Sequence, residues 1–215
     1  MSKKFINGIF RGLEKVPGIN FGHYMMINGK KVLMFPKCGT RTIRDHYLRL
    51  NDIHDKNEGT RYYQYYLPSS FNRINDSNTI LFIRSPLDRL FSCWKQKVSS
   101  LRDPRNFYFW QYYPILYPGM TFCDFLKAVD GIKGHRAEKH FASFYTWTNT
   151  EISDLNIKIY RLDKINEILH VPNDVNKTNM THSSKLKISD FEMDFYKNKL
   201  ISRYVYDEEL FKLAN

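Results

Sequence analysis

The segment KVLMFPKCGTRTI, residues 31–43, decides the predicted fold, because an apolar strand leads directly into a short polar turn and then into a helix. The dipeptide Asn28-Gly29 precedes it and is typical of two-residue hairpin turns. A hairpin is therefore predicted over His23–Phe35, with Lys31–Phe35 as its second strand. Beyond the polar turn, the helix is predicted to bury a face that consists of Ile43, Tyr47 and Leu50.

A second strand-loop-helix unit follows at residues 79–98. Thr79–Ile83 is apolar at nearly every position, which is typical of a strand buried in a parallel sheet. Ser85 as N-cap and Pro86 at the first helical position predict a helix start. The apolar stripe of that helix consists of Leu87, Leu90, Phe91, Trp94 and Val98. This stripe predicts that four polar side chains lie off the core, namely Asp88, Arg89, Ser92 and Lys95.

A third unit and one further helix complete the predicted architecture. Ile157–Tyr160 is a strand candidate and precedes a helix at Lys164–Leu169, while Thr121 is predicted to cap a helix over the following apolar residues. Strands that alternate with helices indicate an α/β fold, with a mainly parallel sheet, helices on both faces and ligands at the carboxyl ends of the strands. We expect one domain over residues 1–215, with its core at about 23–213.

Positive charge is concentrated at the front of the chain. The 215 residues include 33 lysines and arginines against 22 acidic residues, a net charge of +11, and the first fifty residues hold ten basic and two acidic side chains. This distribution suits an anionic small molecule, a polyanionic chain, nucleic acid or an anionic membrane surface. The three cysteines, Cys38, Cys93 and Cys123, form no disulfide or zinc-site pattern, which favours a reducing compartment.

The basic segment 1–20 carries apolar residues at helical spacing but no signal-peptide pattern. A terminal helix packed on the domain is the favoured interpretation, and weak membrane-surface contact by residues 1–15 is the alternative. The longest purely apolar runs have four residues, against the ~20 that a membrane-spanning helix needs. A cytoplasmic protein without a transmembrane anchor is therefore expected.

The loop Lys37–Thr42 has the composition of a cradle for phosphate or sulfate. Gly39 lets the backbone approach an anion, the start of the helix offers free N–H groups, and Lys37 supplies a positive charge. The loop departs from the Walker pattern of nucleotide-binding loops, because Gly39 follows the lysine and no glycine stands at the required position before it. An ordinary strand-to-helix turn with a surface lysine is the alternative.

A second anion site is predicted at the end of the next strand. In P-loop nucleotidases an aspartate that serves Mg²⁺ stands here, whereas this chain carries Arg84. Arg84 and Ser92, two helical turns further on, are candidates to hold a phosphate without a metal ion. Two anion sites at adjacent strand ends predict a ligand with two separated anionic groups.

Together these loops resemble those of sulfotransferases that use 3′-phosphoadenosine 5′-phosphosulfate (PAPS), in particular the carbohydrate sulfotransferases of the sulfotransferase 2 type and their bacterial and viral relatives. Pro36–Thr42 resembles the first signature of that family, in which proline and lysine precede a small residue and three hydroxyl residues. Arg84–Ser92 resembles the second signature, in which an arginine, a proline, a second arginine and a serine stand at fixed spacing. His140-Phe141 and Ile159–Asp163 resemble two weaker segments, and Tyr206 with Glu209 resembles a terminal helix motif.

The resemblance implies in-line transfer of a sulfuryl group from PAPS to an acceptor, with adenosine 3′,5′-bisphosphate as product and no metal ion. Its donor site would consist of Lys37, Cys38, Gly39, Thr40, Arg41, Thr42, Arg84 and Ser92, with Lys37 stabilising the leaving group. His140 is the predicted catalytic base, with His135 as the second choice and a structural histidine as the alternative. Arg41 stands where a hydroxyl residue is usual, and Ser85 where an acid is usual.

A glycan is the expected acceptor, because the basic front and the arginine- and aromatic-rich residues 100–120 favour it over a hydrophobic phenol or steroid. A tyrosyl peptide or a small metabolite is the alternative acceptor. Two other functions compete with this interpretation: a P-loop-type kinase of a small acceptor, and a non-enzymatic protein that binds a polyanion or nucleic acid. No nucleic-acid partner is expected under the sulfotransferase prediction.

Overall fold

The hairpin forms where the sequence predicts it. The computed structural model describes residues 22–53, 67–69, 75–99, 113–172 and 187–215. Strands β1 (Gly22–Ile27) and β2 (Lys30–Leu33) pair antiparallel, and Asn28 and Gly29 between them have φ angles of 50° and 75°. Positive φ at both turn residues defines a type I′ turn, whose twist matches that of the strands. Regular pairing ends at Leu33, two residues earlier than predicted, although Met34 still donates its N–H to His23 O at 2.7 Å.

Three further strands complete a five-stranded sheet within the described residues. They are β3 (Leu67–Ser69), β4 (Thr79–Ile83) and β5 (Lys158–Arg161), and the order is β3-β1-β2-β4-β5. The β2–β4 and β4–β5 pairs are parallel, whereas β1 is antiparallel to both of its neighbours. Four strands therefore run in one direction, and the predicted α/β class with a mainly parallel sheet is confirmed.

Seven α-helices occur in the described ranges: α1 (Thr40–Leu50), α2 (Pro86–Lys97), α3 (Phe122–Gly131), α4 (Phe144–Thr148), α5 (Ile165–Leu169), α6 (Asp190–Phe195) and α7 (Val205–Leu213). A π-helical turn, Tyr196–Leu200, and a 3-10 turn, Ile201–Tyr204, join α6 to α7. The helix starts at Pro86 and Phe122 follow the predicted caps. Ser85 and Thr121 accept hydrogen bonds from the backbone N–H groups of Asp88 and Asp124.

Buried clusters cover both faces of the sheet. Successive residues of a strand point to opposite faces, so the fully buried strand β4 contributes to both clusters. The cluster that joins β4 to α1 and α5 includes Ile80, Phe82, Ile43, Ile165 and Leu169. The cluster that joins β4 to α4 and α7 includes Leu81, Ile83, Phe144, Trp147 and Leu210. Helices thus lie on both faces, as expected.

A third buried cluster lies beyond the sheet, between α2, α3 and the turns that precede α7. It includes Leu90, Phe91, Phe125, Leu126, Tyr196 and Tyr204. The predicted stripe of α2 is confirmed, because four of its five members are buried and Trp94 packs against them. This cluster packs α2 against α3 and against the turns before α7.

The structure corrects the predictions about which side chains of α1 and α2 are buried. On α1, Leu50 is 49% exposed, and the buried face consists of Thr42, Ile43, His46 and Leu48. On α2, Arg89 and Ser92 are buried, although the apolar stripe predicts that they lie off the core. At the carboxyl end, Tyr204 and Asp207 are buried, whereas Glu209 is exposed and Tyr206 is half-buried.

The predictions for residues 1–20 and the aromatic residues 100–112 lie outside the described residues. Within the described ranges, no helix combines the length and the apolar character needed to cross a membrane. The single domain and the cytoplasmic location stay predictions.

Candidate active site

The loop between β2 and α1 has an unusual backbone. Lys37 and Gly39 have φ angles of 68° and 79°, and Lys37 adopts this left-handed conformation despite its Cβ. Gly39 is the N-cap of α1 and makes no side-chain capping bond. The first N–H groups of a helix have no intrahelical partner, and they carry the positive end of the helix dipole. The loop therefore offers backbone donors and a lysine at one strand end.

Gly39 is required by its neighbours as well as by its φ. A Cβ at this position would stand 2.6 Å from Leu162 Cδ1 and 3.0 Å from Ile165 Cδ1, and both residues follow β5. The segment after β5 therefore packs directly against the loop between β2 and α1. This contact keeps the loop compact.

Lys37 has a lowered pKa, caused by burial and by neighbouring cations. Its Nζ donates to Gln96 Oε1 at 2.6 Å, and burial lowers the pKa of Lys37 from 10.5 to about 8. Lys97, Arg84 and Arg41 also lower this pKa, whereas Cys93 raises it. Among the described residues, no carboxylate forms an ion pair with Lys37, Arg41 or Arg84. The cluster of cations thus creates a field that favours an anionic ligand.

Arg84 belongs to this cluster because of strand pairing. It follows β4, the parallel neighbour of β2, so the carboxyl ends of both strands lie at the same edge of the sheet. Arg84 lowers the pKa values of Lys37 and of the Cys38 thiol, which shows that the two loops adjoin. Ser92 lies on α2, six residues after its first residue or ~9 Å along the axis, and its side chain is 9% exposed.

The remaining loop residues divide by exposure. Arg41 is exposed, Thr40 is half-buried and Thr42 is buried. Cys38 packs in the cluster that includes β2, β4 and α7, and burial raises the pKa of its thiol. Only the backbone of Cys38 is therefore suited to the predicted donor site.

His140 lies near the cations and is paired with a carboxylate that the sequence interpretation missed. Its Nδ1 lies 2.7 Å from both Oε1 and Oε2 of Glu138, and its backbone N–H donates to Glu138 Oε2 at 2.8 Å. Burial lowers the pKa of His140 to about 4, with Glu138 opposing the shift and Lys97 adding to it. Because Lys97 lowers the pKa values of both His140 and Lys37, the base candidate and the loop share one electrostatic environment.

Arg89 holds the backbone around His140. It is fully buried, its Nη1 donates to His140 O at 3.4 Å, and its Nη2 donates to Ala142 O and to Asp207 Oδ1, the latter at 3.2 Å. The guanidinium also lies 4.7 Å from the ring centroid of Phe35, at the end of the β2 segment. A single side chain of α2 thus links the candidate base, the C-terminal helix and the strand before the loop.

Two residues near the chain end complete this frame. Asp207 Oδ2 accepts the N–H of Phe144 at 2.8 Å, and Tyr204 donates its hydroxyl to Phe141 O at 2.6 Å. Burial raises the pKa of Asp207 to about 6, against the opposing effect of Arg89. These buried contacts are made by Tyr204 and Asp207, whereas Tyr206 and Glu209, the pair named in the sequence analysis, are half-buried and exposed.

His135, the second choice for the base, is exposed in the short 3-10 helix Gly134–Arg136. Within the part of the chain that the structure describes, it makes no carboxylate or arginine contact like those that hold His140. The geometry therefore favours His140.

Comparisons of the chain with models of protein families, with curated proteins and with solved structures find no match.

Proposed function

We propose that the chain is a PAPS-dependent sulfotransferase. One observation carries the proposal: two cationic strand ends, at Lys37 and Arg84, adjoin each other, and Lys97 acts on both Lys37 and an imidazole that faces a carboxylate. A donor with two separated anionic groups matches two such strand ends. The ring can accept a proton from an acceptor at the nitrogen that does not face Glu138, and the carboxylate favours the protonated ring.

In the proposed reaction, the acceptor oxygen attacks the sulfur of PAPS and forms a new S–O bond. The bond from sulfur to the bridging oxygen breaks, and its electron pair stays on the 5′-phosphate of adenosine 3′,5′-bisphosphate. The acceptor proton passes to Nε2 of His140, because Nδ1 faces the carboxylate. Lys37 and the N–H groups at the start of α1 stabilise the negative charge that develops on the leaving phosphate.

The donor site would use the two strand ends for different phosphates. Backbone groups from Cys38 to Thr42 hold the 5′-phosphosulfate, and Arg41 offers a guanidinium to it. Arg84 and Ser92 hold the 3′-phosphate, the group that distinguishes PAPS from ATP. The sheet order and the helices on both faces are compatible with the three-layer, P-loop-like fold of sulfotransferases, and this finer assignment belongs to the proposal.

The acceptor in this proposal is a glycan with anionic groups. The support is the density of cations around the site, namely Lys37, Arg41, Arg84 and Lys97. Such an acceptor should show an apparent KM that rises steeply from low to physiological salt, because exposed charges are screened over ~8–10 Å. A salt-insensitive KM, or activity restricted to an uncharged phenol, would leave only the donor half of the proposal.

The first test is a comparison of ligands by thermal unfolding. We expect adenosine 3′,5′-bisphosphate to raise the midpoint, because a ligand that binds only the folded state stabilises it. Adenosine 5′-phosphate should have a smaller effect at equal concentration. Selective stabilisation by ATP with Mg²⁺ would instead favour a kinase, and stabilisation by an oligonucleotide alone would favour a nucleic-acid-binding protein.

The second test is transfer of label from ³⁵S-PAPS to a panel of glycans. His140→Ala should lower transfer to every hydroxyl acceptor by about 10²–10⁴-fold, the usual contribution of a general base. His135→Ala should retain transfer, because this histidine is exposed. Loss confined to one acceptor in His140→Ala would make His140 a substrate contact rather than the base.

A further inference from the structure

We propose that Glu138 is a positioning residue that keeps the proton of His140 on Nδ1 and leaves Nε2 to accept the proton of the acceptor. This inference rests on the proposed function for the identity of the reaction. The arrangement itself is a property of two side chains and can be measured without any substrate.

The geometry restricts the ring strongly. Both carboxylate oxygens of Glu138 lie 2.7 Å from His140 Nδ1, and Oε2 also accepts the backbone N–H of His140 at 2.8 Å. One carboxylate therefore holds the ring and the chain of the same residue. An ionised carboxylate can only accept hydrogen bonds, so Nδ1 must carry the proton when the ring is neutral.

The turn around the pair is rigid. The carbonyl of Glu138 accepts the N–H groups of Phe141 and Ala142 at 2.9 and 2.8 Å, while Arg89 binds the carbonyl of His140 from α2. The Glu138 side chain is 3% exposed and that of His140 is 17% exposed, so water has little access to the carboxylate. A group held by packing and by further hydrogen bonds keeps its geometry during the reaction.

The carboxylate also matters once the ring has accepted a proton. The imidazolium would form beside Lys97 and Lys139, both of which disfavour a further positive charge. Glu138 is the negative group that offsets them, and His140 in turn lowers the pKa of Glu138. Two other titratable side chains face the carboxylate, namely Cys93 and Tyr113. Loss of the Glu138 charge would therefore penalise proton transfer even if the ring kept its place.

The test combines a spectroscopic and a kinetic readout on the full chain. Side-chain ¹H–¹⁵N spectra with ¹⁵N-histidine at neutral pH report which ring nitrogen is protonated, and His140→Gln identifies the relevant signals among the seven histidines. We expect Nδ1–H in the wild type and a mixture of both tautomers in Glu138→Gln. Turnover with PAPS should fall ~10²-fold in Glu138→Gln with little change in the affinity for adenosine 3′,5′-bisphosphate.

Two variants make the result interpretable. Glu138→Asp keeps the charge and should recover part of the turnover, whereas Glu209→Gln, an exposed glutamate on α7, should match the wild type in both readouts. Nε2–H in the wild type would overturn the inference even if Glu138→Gln does not fold. Unchanged tautomer and turnover in a folded Glu138→Gln would overturn it as well. If the wild type transfers no sulfuryl group while the Nδ1–H signal is present, the proposed reaction fails and the positioning of the ring stands.

Discussion

Replacement of Gly39 by alanine tests the close contact between the loop after β2 and the segment after β5. The φ of +79° lies in the left-handed region, where a Cβ costs roughly 1–2 kcal/mol. The same Cβ would stand 2.6 Å from Leu162 Cδ1 and 3.0 Å from Ile165 Cδ1, and overpacking of this kind costs ~1–3 kcal/mol. The free energy of unfolding should therefore fall by about 2–5 kcal/mol.

Two comparisons separate the backbone cost from the collision. Gly29→Ala changes a glycine with φ +75° and no atom within 4 Å of the added Cβ, so it should lose only the backbone part, ~1–2 kcal/mol. Leu162→Ala removes the nearest methyl group. In the double variant with Gly39→Ala the closer of the two collisions is relieved, and the double-mutant cycle should return a coupling in favour of the pair of at most about 1–3 kcal/mol.

Urea denaturation followed by tryptophan fluorescence measures the free energies of unfolding of the wild type and of the four variants. For a chain of this size, 1 kcal/mol shifts the melting temperature by about 2–4 °C, so Gly39→Ala should melt roughly 4–20 °C below the wild type. The reasoning is refuted if Gly39→Ala is no less stable than Gly29→Ala. Additive effects of the Gly39 and Leu162 substitutions would equally show that the segment after β5 does not hold the loop.

Four further predictions concern the cations. Lys37→Ala should lower turnover ~10²-fold in the ³⁵S-transfer assay and should weaken the binding of adenosine 3′,5′-bisphosphate less, because the charge matters most as the leaving group develops. The matched control is Lys30→Ala, which changes an exposed lysine. Equal losses in turnover and affinity would contradict this role of Lys37. Arg84→Ala and Ser92→Ala should each weaken adenosine 3′,5′-bisphosphate roughly tenfold or more by calorimetry and scarcely affect adenosine 5′-phosphate; equal effects would move the 3′-phosphate site elsewhere. The kcat/KM for PAPS should fall as pH rises through about 8, because burial lowers the pKa of Lys37 to about 8 and the free enzyme loses the proton of this lysine near that pH. A profile that is flat to pH 10 would exclude Lys37 as the titrating group. Arg89→Met should lower the free energy of unfolding, measured in urea, by about 3–5 kcal/mol, because it leaves the buried carboxylate of Asp207 without the arginine. A loss below ~1 kcal/mol would mean that the ion pair between Arg89 and Asp207 does not stabilise the fold.

Several features of the fold could be predicted because they depend on neighbours in the chain. The turn at Asn28-Gly29 needs two residues that tolerate positive φ, and the sequence supplies them in adjacent positions. The caps at Ser85 and Thr121 are hydrogen bonds between residues three apart. Strand β4 is apolar at consecutive positions, so both faces had to be covered. Parallel strands followed by helices then predicted where the cationic loops would meet.

The side chains that orient the candidate base were decided by tertiary structure. Arg89 lies off the apolar stripe of α2 but is buried, because Asp207, 118 residues away, and two backbone carbonyls accept its hydrogen bonds. Helical periodicity predicted a buried Leu50, yet this last residue of α1 is 49% exposed. Glu138 stands only two residues before His140, but its role depends on the burial of both side chains, which are 3% and 17% exposed in the folded chain. Local hydrogen bonds and apolar runs thus specified the elements, whereas long-range packing determined which polar groups lost water and therefore had to pair, because only the assembled core removes water from them.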